Sequence, residues 1–172
     1  MKNLFSTAVT ESSHQDLEGV GSIRIEADGK MYRWVKNTST SVTFVAGDAA
    51  FHALTDLGDA PKQIGQCATA DLGFMAGITA STTIAASTGT NPKIYGWIQI
   101  FGYCSSINVL GHKTSLMTVG HSMMGVNAVG YLAYGLAMGT AALYRRLVIL
   151  QSNMALMTTP VSTFVAGYIH CI

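Results

Sequence analysis

The chain has 172 residues, 11% of them charged and 49% hydrophobic, and a formal net charge of +1. That length suits one domain with a self-sufficient core, but ordinary soluble domains carry about 25% charged residues. High hydrophobicity with almost no net charge excludes a disordered chain and argues against a nucleic-acid binder driven by bulk charge. The few charges are unevenly placed. Residues 1–71 hold six Lys/Arg and nine Asp/Glu, whereas residues 72–172 hold only Lys93, Lys113, Arg145 and Arg146 and no acid. A stretch that long with so thin a solvated shell implies either a membrane or extensive protein contacts.

Residues 1–20 are polar, carry Glu11, Asp16 and Glu18, and lack the apolar core of a secretory signal peptide. They read as an arm or extended tail, with its order in the absence of a partner left open. From Gly21 the pattern changes. In SIRIEADGKMYRWVKN, Ile23 and Ile25 alternate with polar residues, Asp28–Gly29 supplies a turn, and Met31 to Lys36 returns as a strand. Lys30, Tyr32, Trp34 and Lys36 then share one face, and Met31, Arg33 and Val35 the other. This alternation favours cross-strand aromatic packing over a basic–aromatic nucleic-acid surface.

Further short runs follow: Val42 to Val45, a turn at Ala46–Gly47–Asp48, Ala49 to Leu54, Gln66 to Ala70 and Phe74 to Thr79. Lys93 to Tyr103 (KIYGWIQIFGY) is the strongest later strand, with Tyr95, Trp97, Gln99 and Phe101 on one face and Ile98 and Ile100 on the other. Ile107 to Leu110, Ser115 to Val119, Leu147 to Gln151 and Thr163 to Ile172 complete the series. Strands at this cadence, separated by Gly, Asn, Asp and Ser, predict one all-β domain over 21–172, a sandwich or barrel. Residues 128–144 also suit one short helix.

Thr114 to Tyr144 lacks Lys, Arg, Asp and Glu and is closed by Arg145–Arg146, which by length alone nominates a transmembrane helix. Gly at 120, 125, 130, 135 and 139 argues otherwise. Each interior Gly costs about 1 kcal/mol in a helix, and the five-residue spacing misses the helical period. Contacts with other proteins are the better account of the missing charge.

No nucleophile elbow, phosphate loop or zinc-protease signature is present. Cys67, Cys104 and Cys171 form no CxxC pair and read as buried thiols. Pairing Cys104 with His112 or His121, or Cys67 with His52, has no support in spacing. Asp56 and Asp59 read as a solvated loop. No catalytic, cofactor-binding or metal-ligating residue is assigned.

Several strings together resemble a known family. Asp28, Gly29, Tyr32, Trp34, Val35 and Lys36 in the hairpin, Ala46–Gly47 after it, and Tyr95, Gly96, Trp97, Ile98, Gln99, Ile100 and Gly102 in YGWIQIFG look like small head-decoration (cement) proteins of tailed bacteriophages. The resemblance covers roughly residues 21–110, and YGWIQIFG is its most specific part. It implies a non-enzymatic β-rich virion protein without cofactors. Such a protein binds the major capsid protein on the capsid exterior as a homo-oligomer, expected to be a trimer, and reinforces junctions between capsomers. The candidate interface residues are Glu11, Asp16 and Glu18 on the arm, Trp34, Trp97, Met123, Met124, Arg145 and Arg146. Two other classes remain: a tail, fibre or baseplate adhesion module, and a small membrane protein built around Thr114–Tyr144. Nucleic acid and small-molecule substrates are not expected partners.

Overall fold

β-Branched and aromatic residues at alternating positions, stopped by glycine and Asx–Gly turns, leave the backbone one economical option, pairing as strands. A computed structural model describes residues 5–53, 62–65, 75–110, 122–125, 132–134, 148–151 and 162–171, and its regular structure there is strand throughout. Among the described residues, thirteen strands occur in chain order. They are β1 (Ser12–Ser13), β2 (Ile23–Ile25), β3 (Met31–Asn37), β4 (Phe44–Val45), β5 (Ala49–His52), β6 (Gln63–Gly65) and β7 (Met75–Thr79). After these come β8 (Thr83–Ile84), β9 (Tyr95–Leu110), β10 (Ser122–Gly125), β11 (Leu132–Tyr134), β12 (Val148–Leu150) and β13 (Ser162–His170).

The organising element is β9, 16 residues long. One of its edges pairs with β1, β7 and β13 in succession, and the other with β3 and then β11. The sheet closes on itself twice through this strand. The first circuit runs β9–β7–β5–β6–β3 and back to β9, with β6 and β3 parallel and every other pair antiparallel. The second runs β9–β13–β12–β10–β11 and back to β9, where the single parallel pair is Leu132 opposite Val109. The fold is all-β and barrel-like, and closure removes open edges that would otherwise pair with other chains.

The Asp28–Gly29 hairpin forms as expected. Glu26 N donates to Lys30 O (2.9 Å), Gly29 has φ +81°, and β2 pairs antiparallel with β3. Alternation along β3 and β9 then sorts side chains between two cores. Val35, Ile98 and Ile100 join Phe44, Phe51, Ile64, Ile78, Ile84, Ile107 and Val109 inside the main core. Tyr32, Trp34 and Trp97 form a second cluster on the opposite face. Trp34 stands directly across from Trp97 in the β3–β9 register, with ring centroids 5.1 Å apart in an edge-on pair. The predicted faces of both strands are therefore correct, and the aromatic residues are packing groups.

Three expectations change. The helix suited to 128–144 is interrupted by strand β11, which pairs with β10, and the rest of that run lies outside the described residues. Strands β10 and β11 also fall within Thr114–Tyr144, and among the described residues no helix is long and apolar enough to cross a membrane. The two segments read separately as Lys93–Tyr103 and Ile107–Leu110 are one strand. An irregularity between the Gly167–Cys104 and Val165–Ile107 pairs absorbs the extra residue at Ser105–Ser106 as a bulge. The runs Gln66–Ala70 and Ser115–Val119 lie outside the described residues.

Gly77 marks the tightest approach of β7 to β9. A Cβ there would sit 2.5 Å from Gln99 O, a backbone atom that cannot turn aside. At Gly29 a Cβ meets nothing, so only the positive φ opposes a side chain. Gly77→Ala is expected to cost at least ~2 kcal/mol, and Gly29→Ala about 1 kcal/mol. Chemical denaturation of the two variants checks this order, and equal losses would refute the close packing of β7 on β9.

Candidate functional site

Two surfaces of the fold carry the polar and aromatic groups available for contact: the seam where the N-terminal segment meets the barrel, and the outer face of the β9–β13 pair. At the first, a buried indole needs an acceptor for its N–H, and neither tryptophan finds one inside the barrel. The N-terminal segment provides both. Trp97 Nε1 donates to Thr7 Oγ1 (2.9 Å), and Trp34 Nε1 donates to Asp16 Oδ1 (2.9 Å). Phe5 lies edge-on against Trp97, with centroids 5.4 Å apart, and Val9 and Val20 pack beside it.

Further bonds fasten the segment. Thr7 N, Thr7 Oγ1 and Ser6 Oγ all donate to Glu18 Oε1, at 2.6, 2.7 and 3.0 Å. Thr7 Oγ1 thus accepts from Trp97 and passes its own proton toward Glu18. Trp97 N donates to Ser81 Oγ (2.7 Å), which donates to Glu11 O (2.5 Å), and Ser12–Ser13 pairs with Gly96–Tyr95. Arg24 reaches back from β2 to Thr7 O (2.8 Å) and lies over the Phe5 ring. The described part of the arm is therefore folded onto its own barrel and is not an extended tail.

This placement revises the candidate interface residues. Trp34 and Trp97 have no exposed surface and lie under the arm, so they are not presented to a partner. Asp16 accepts from Trp34 and caps the turn at Gly19 and Val20, Glu18 holds Thr7 and Ser6, and Glu11 Oε2 accepts from Ala8 N. Met123 and Met124 fall in β10, opposite Tyr134 and Ala133. Arg145 and Arg146 lie outside the described residues. The arm contacts were missed, although one signal was available: two strand tryptophans need acceptors, and the arm holds closely spaced hydroxyls and carboxylates.

The second surface was not singled out in the sequence. Along β13, Val165 and Ile169, followed by Cys171, point inward, while Phe164 (57% exposed), Tyr168 (38%) and His170 point outward. Across the ladder, Tyr103 (48% exposed) stands opposite Tyr168, and Phe101 opposite His170. The Phe101 ring meets Tyr168 edge-on at 5.4 Å and His170 at 5.8 Å. Neither 101–110 nor 162–171 contains Asp, Glu, Lys or Arg. Burial pushes the inward Cys171 thiol up to about 12, so it is an inert packing group. Among the described residues, no three His, Cys, Asp or Glu side chains converge as a metal site.

One polar group crosses between the two circuits. Asp48, 6% exposed, accepts from Val45 N and from Asn108 Nδ2, both at 2.9 Å, and so ties the turn before β5 to β9. Burial outweighs these two bonds and raises its pKa. Asn108 Oδ1 has no partner. No protein-family model, no curated protein and no solved structure matches the chain.

The two acids predict opposite responses to pH. Partial burial opposes the charge of Glu18, but the bonds from Thr7 and Ser6 outweigh it and hold the pKa below the ordinary 4.5. Its contribution is present above that value and is lost as pH falls through the depressed folded pKa. Tryptophan fluorescence is expected to report arm release on acidification, and Glu18→Gln to flatten that response. Asp48 has the opposite sign: its favourable, protonated form is present below the ordinary 3.8 and is lost as pH rises through the raised folded pKa. Asp48→Asn, with the Asn108 amide turned to accept, is expected to remove that loss. Unchanged pH profiles in both variants would overturn these assignments.

Proposed function

We propose that the chain is a capsid decoration protein that binds the outer surface of a phage capsid as a homo-oligomer, a trimer, and tightens contacts between capsomers. The observation that carries this reading is the uncharged aromatic face of β9 and β13. Exposed aromatic residues without flanking charge are the composition of the centre of a protein–protein contact, and a solvated monomer gains nothing from them. The resemblance adds support: its two main strings, the Asp28–Gly29 hairpin and YGWIQIFG, are the strands β3 and β9 that pair through Trp34 and Trp97.

On this reading the protein acts by burial alone. A standard contact removes about 1,600 Å² from water, and an oligomer engaging several capsomers at once multiplies modest contacts through effective concentration. A closed barrel is a suitable carrier, because it presents a fixed face that loses little entropy on binding.

Purified protein is expected to sediment with expanded capsid shells and to elute as an oligomer. Phe164→Ser with Tyr168→Ser, both outward and therefore compatible with folding, is expected to weaken shell binding or self-association by tenfold or more, in the range of about 2 kcal/mol for aromatic anchors. A protein that stays monomeric at all concentrations and fails to pellet with shells would overturn the proposal.

A further inference from the structure

Both circuits close without β2, which lies on the outer edge of β3 beside β6. The hydrogen-bonding phase of this short strand is set at its two ends. Trp34 N donates to Ser22 O (2.9 Å) and Glu26 N to Lys30 O (2.9 Å), so Arg24, midway between them, also turns its backbone groups toward β3. Ile23 and Ile25 stand in the intervening pairs, opposite Arg33 and Met31, and their N–H and C=O groups point away from the barrel. No strand among the described residues takes them up, and both side chains are exposed, at 45% and 68%. An edge left unpaired in this way is a template for one more strand.

A second observation marks the same place. Arg33 is on the face that Ile23 and Ile25 share, directly across the ladder from Ile23. It is half-buried, yet its side chain makes no hydrogen bond, ion pair or ring contact among the described residues. Burial lowers its pKa, opposed only by Cys171, and no carboxylate acts on it. The two acids of the hairpin are committed elsewhere. Glu26 pairs with Arg24, on the opposite face of β2, and Asp28 is engaged by Lys30 through both of its oxygens. A planar fork of N–H donors, drawn partly out of water and left without an acceptor, is matched by a carboxylate.

We infer that the open edge of β2 takes up an extended segment of a partner protein as an added strand, with an acidic side chain of that segment meeting Arg33. The identity of the partner, the shell subunit, rests on the capsid-binding reading, whereas the chemistry rests on the edge itself. The added strand would lie two strand spacings from β3, about 10 Å, within the combined reach of an arginine and a glutamate side chain. A second copy of the chain suits this edge poorly. Its β2 brings only Ile23 and Ile25 to the Arg33 face, without a carboxylate, and full antiparallel overlap sets the Arg24 residues of the two copies face to face. A segment with apolar residues and one acid at alternate positions covers both isoleucines and answers Arg33. Backbone bonds at two residues make a modest contact, which gains strength when several subunits of an oligomer engage at once.

Two measurements test it. In the first, amide resonances and hydrogen exchange of the full chain are followed as peptides of the form Thr-Val-Thr-X-Thr-Val-Thr are added, with Glu, Gln or Lys at X. With Glu, the Ile23 and Ile25 amides are expected to shift and to exchange more slowly, with binding about tenfold weaker for Gln and weakest for Lys. Arg33→Gln is expected to erase the difference between Glu and Gln. Ile25→Pro removes an outward N–H but leaves the bonds to β3 in place, and is expected to abolish binding of all three peptides; thermal melts confirm the fold of both variants. Equal binding of the Glu and Lys peptides, or no binding of any, would overturn the inference. Protection of Ile23 and Ile25 that rises with protein concentration alone would overturn it too, by giving the edge to a second copy. In the second measurement, Ile25→Pro is expected to bind shells about tenfold more weakly than the parent chain. Parental binding by Ile25→Pro would refute the shell subunit as the partner of this edge and leave the capsid reading intact. A parent chain that does not bind shells would remove the capsid reading, and the peptide series then decides the edge by itself.

Discussion

Every large-scale feature of this fold depends on strand β9, which over its 16 residues takes strand partners on both of its edges. A buried strand with an unpaired edge pays for each orphaned N–H and C=O. β9 avoids that cost by changing partners as it goes, from β1 to β7 to β13 on one edge and from β3 to β11 on the other. Two closed circuits follow from one strand being long enough to serve both. The same strand must also re-aim its side chains between circuits. The register with β3 shifts between Met31 and Tyr32, Gly102 takes φ +98°, and the ladder with β13 shifts again at Ser105–Ser106. These irregularities convert a strand that is buried on both faces at Trp97 and Ile98 into one that exposes Tyr103.

The arm is a consequence of the same geometry. Alternation places Trp34 and Trp97 on the face opposite the main core, where nothing in the barrel covers them. Left there, two large aromatic groups would face solvent, so the N-terminal segment completes the protein's own packing and, in burying the indoles, supplies the acceptors that water would otherwise provide. Two of its acids serve the tryptophans: Asp16 accepts directly from Trp34, and Glu18 holds the Thr7 hydroxyl that accepts from Trp97. A largely polar segment becomes ordered through eight directed bonds together with the packing of Phe5, Val9 and Val20 on the tryptophan cluster.

How much of this was legible in the sequence can be traced strand by strand. The hairpin at Asp28–Gly29, the turn at Gly47 and the face assignments of β3 and β9 were legible, because strict alternation and φ-demanding turns are local properties. The continuity of β9 through Cys104–Ser105–Ser106 was not, because a bulge is decided by the partner strand and leaves no periodic mark. Strand β6, only Gln63–Gly65, and strand β8, only Thr83–Ile84, are too short to carry a period. The arm was read as extended because its local composition suits solvent, whereas its order comes from contacts up to 90 residues away, as between Thr7 and Trp97. The exposed face of β13 was within reach: Phe164, Tyr168 and His170 alternate with Val165, Ile169 and Cys171, and a strand with uncharged residues on both faces already draws attention to its outer face.

The chain's two candidate contact surfaces differ in kind, and β9 sets the distance between them. The seam lies beside Gly96, where β1 pairs, and the aromatic face begins near Tyr103, so at about 3.3 Å per residue they stand roughly 20 Å apart along the strand. The seam is closed by directed polar bonds from the chain's own arm, whereas the aromatic face keeps its apolar surface toward solvent. The sparse, segregated charge of the sequence follows the same division: all nine acids lie within residues 1–71, three of them on the arm that closes the fold, and their absence from residues 72–172 leaves the second half of β9 and β13 without a carboxylate.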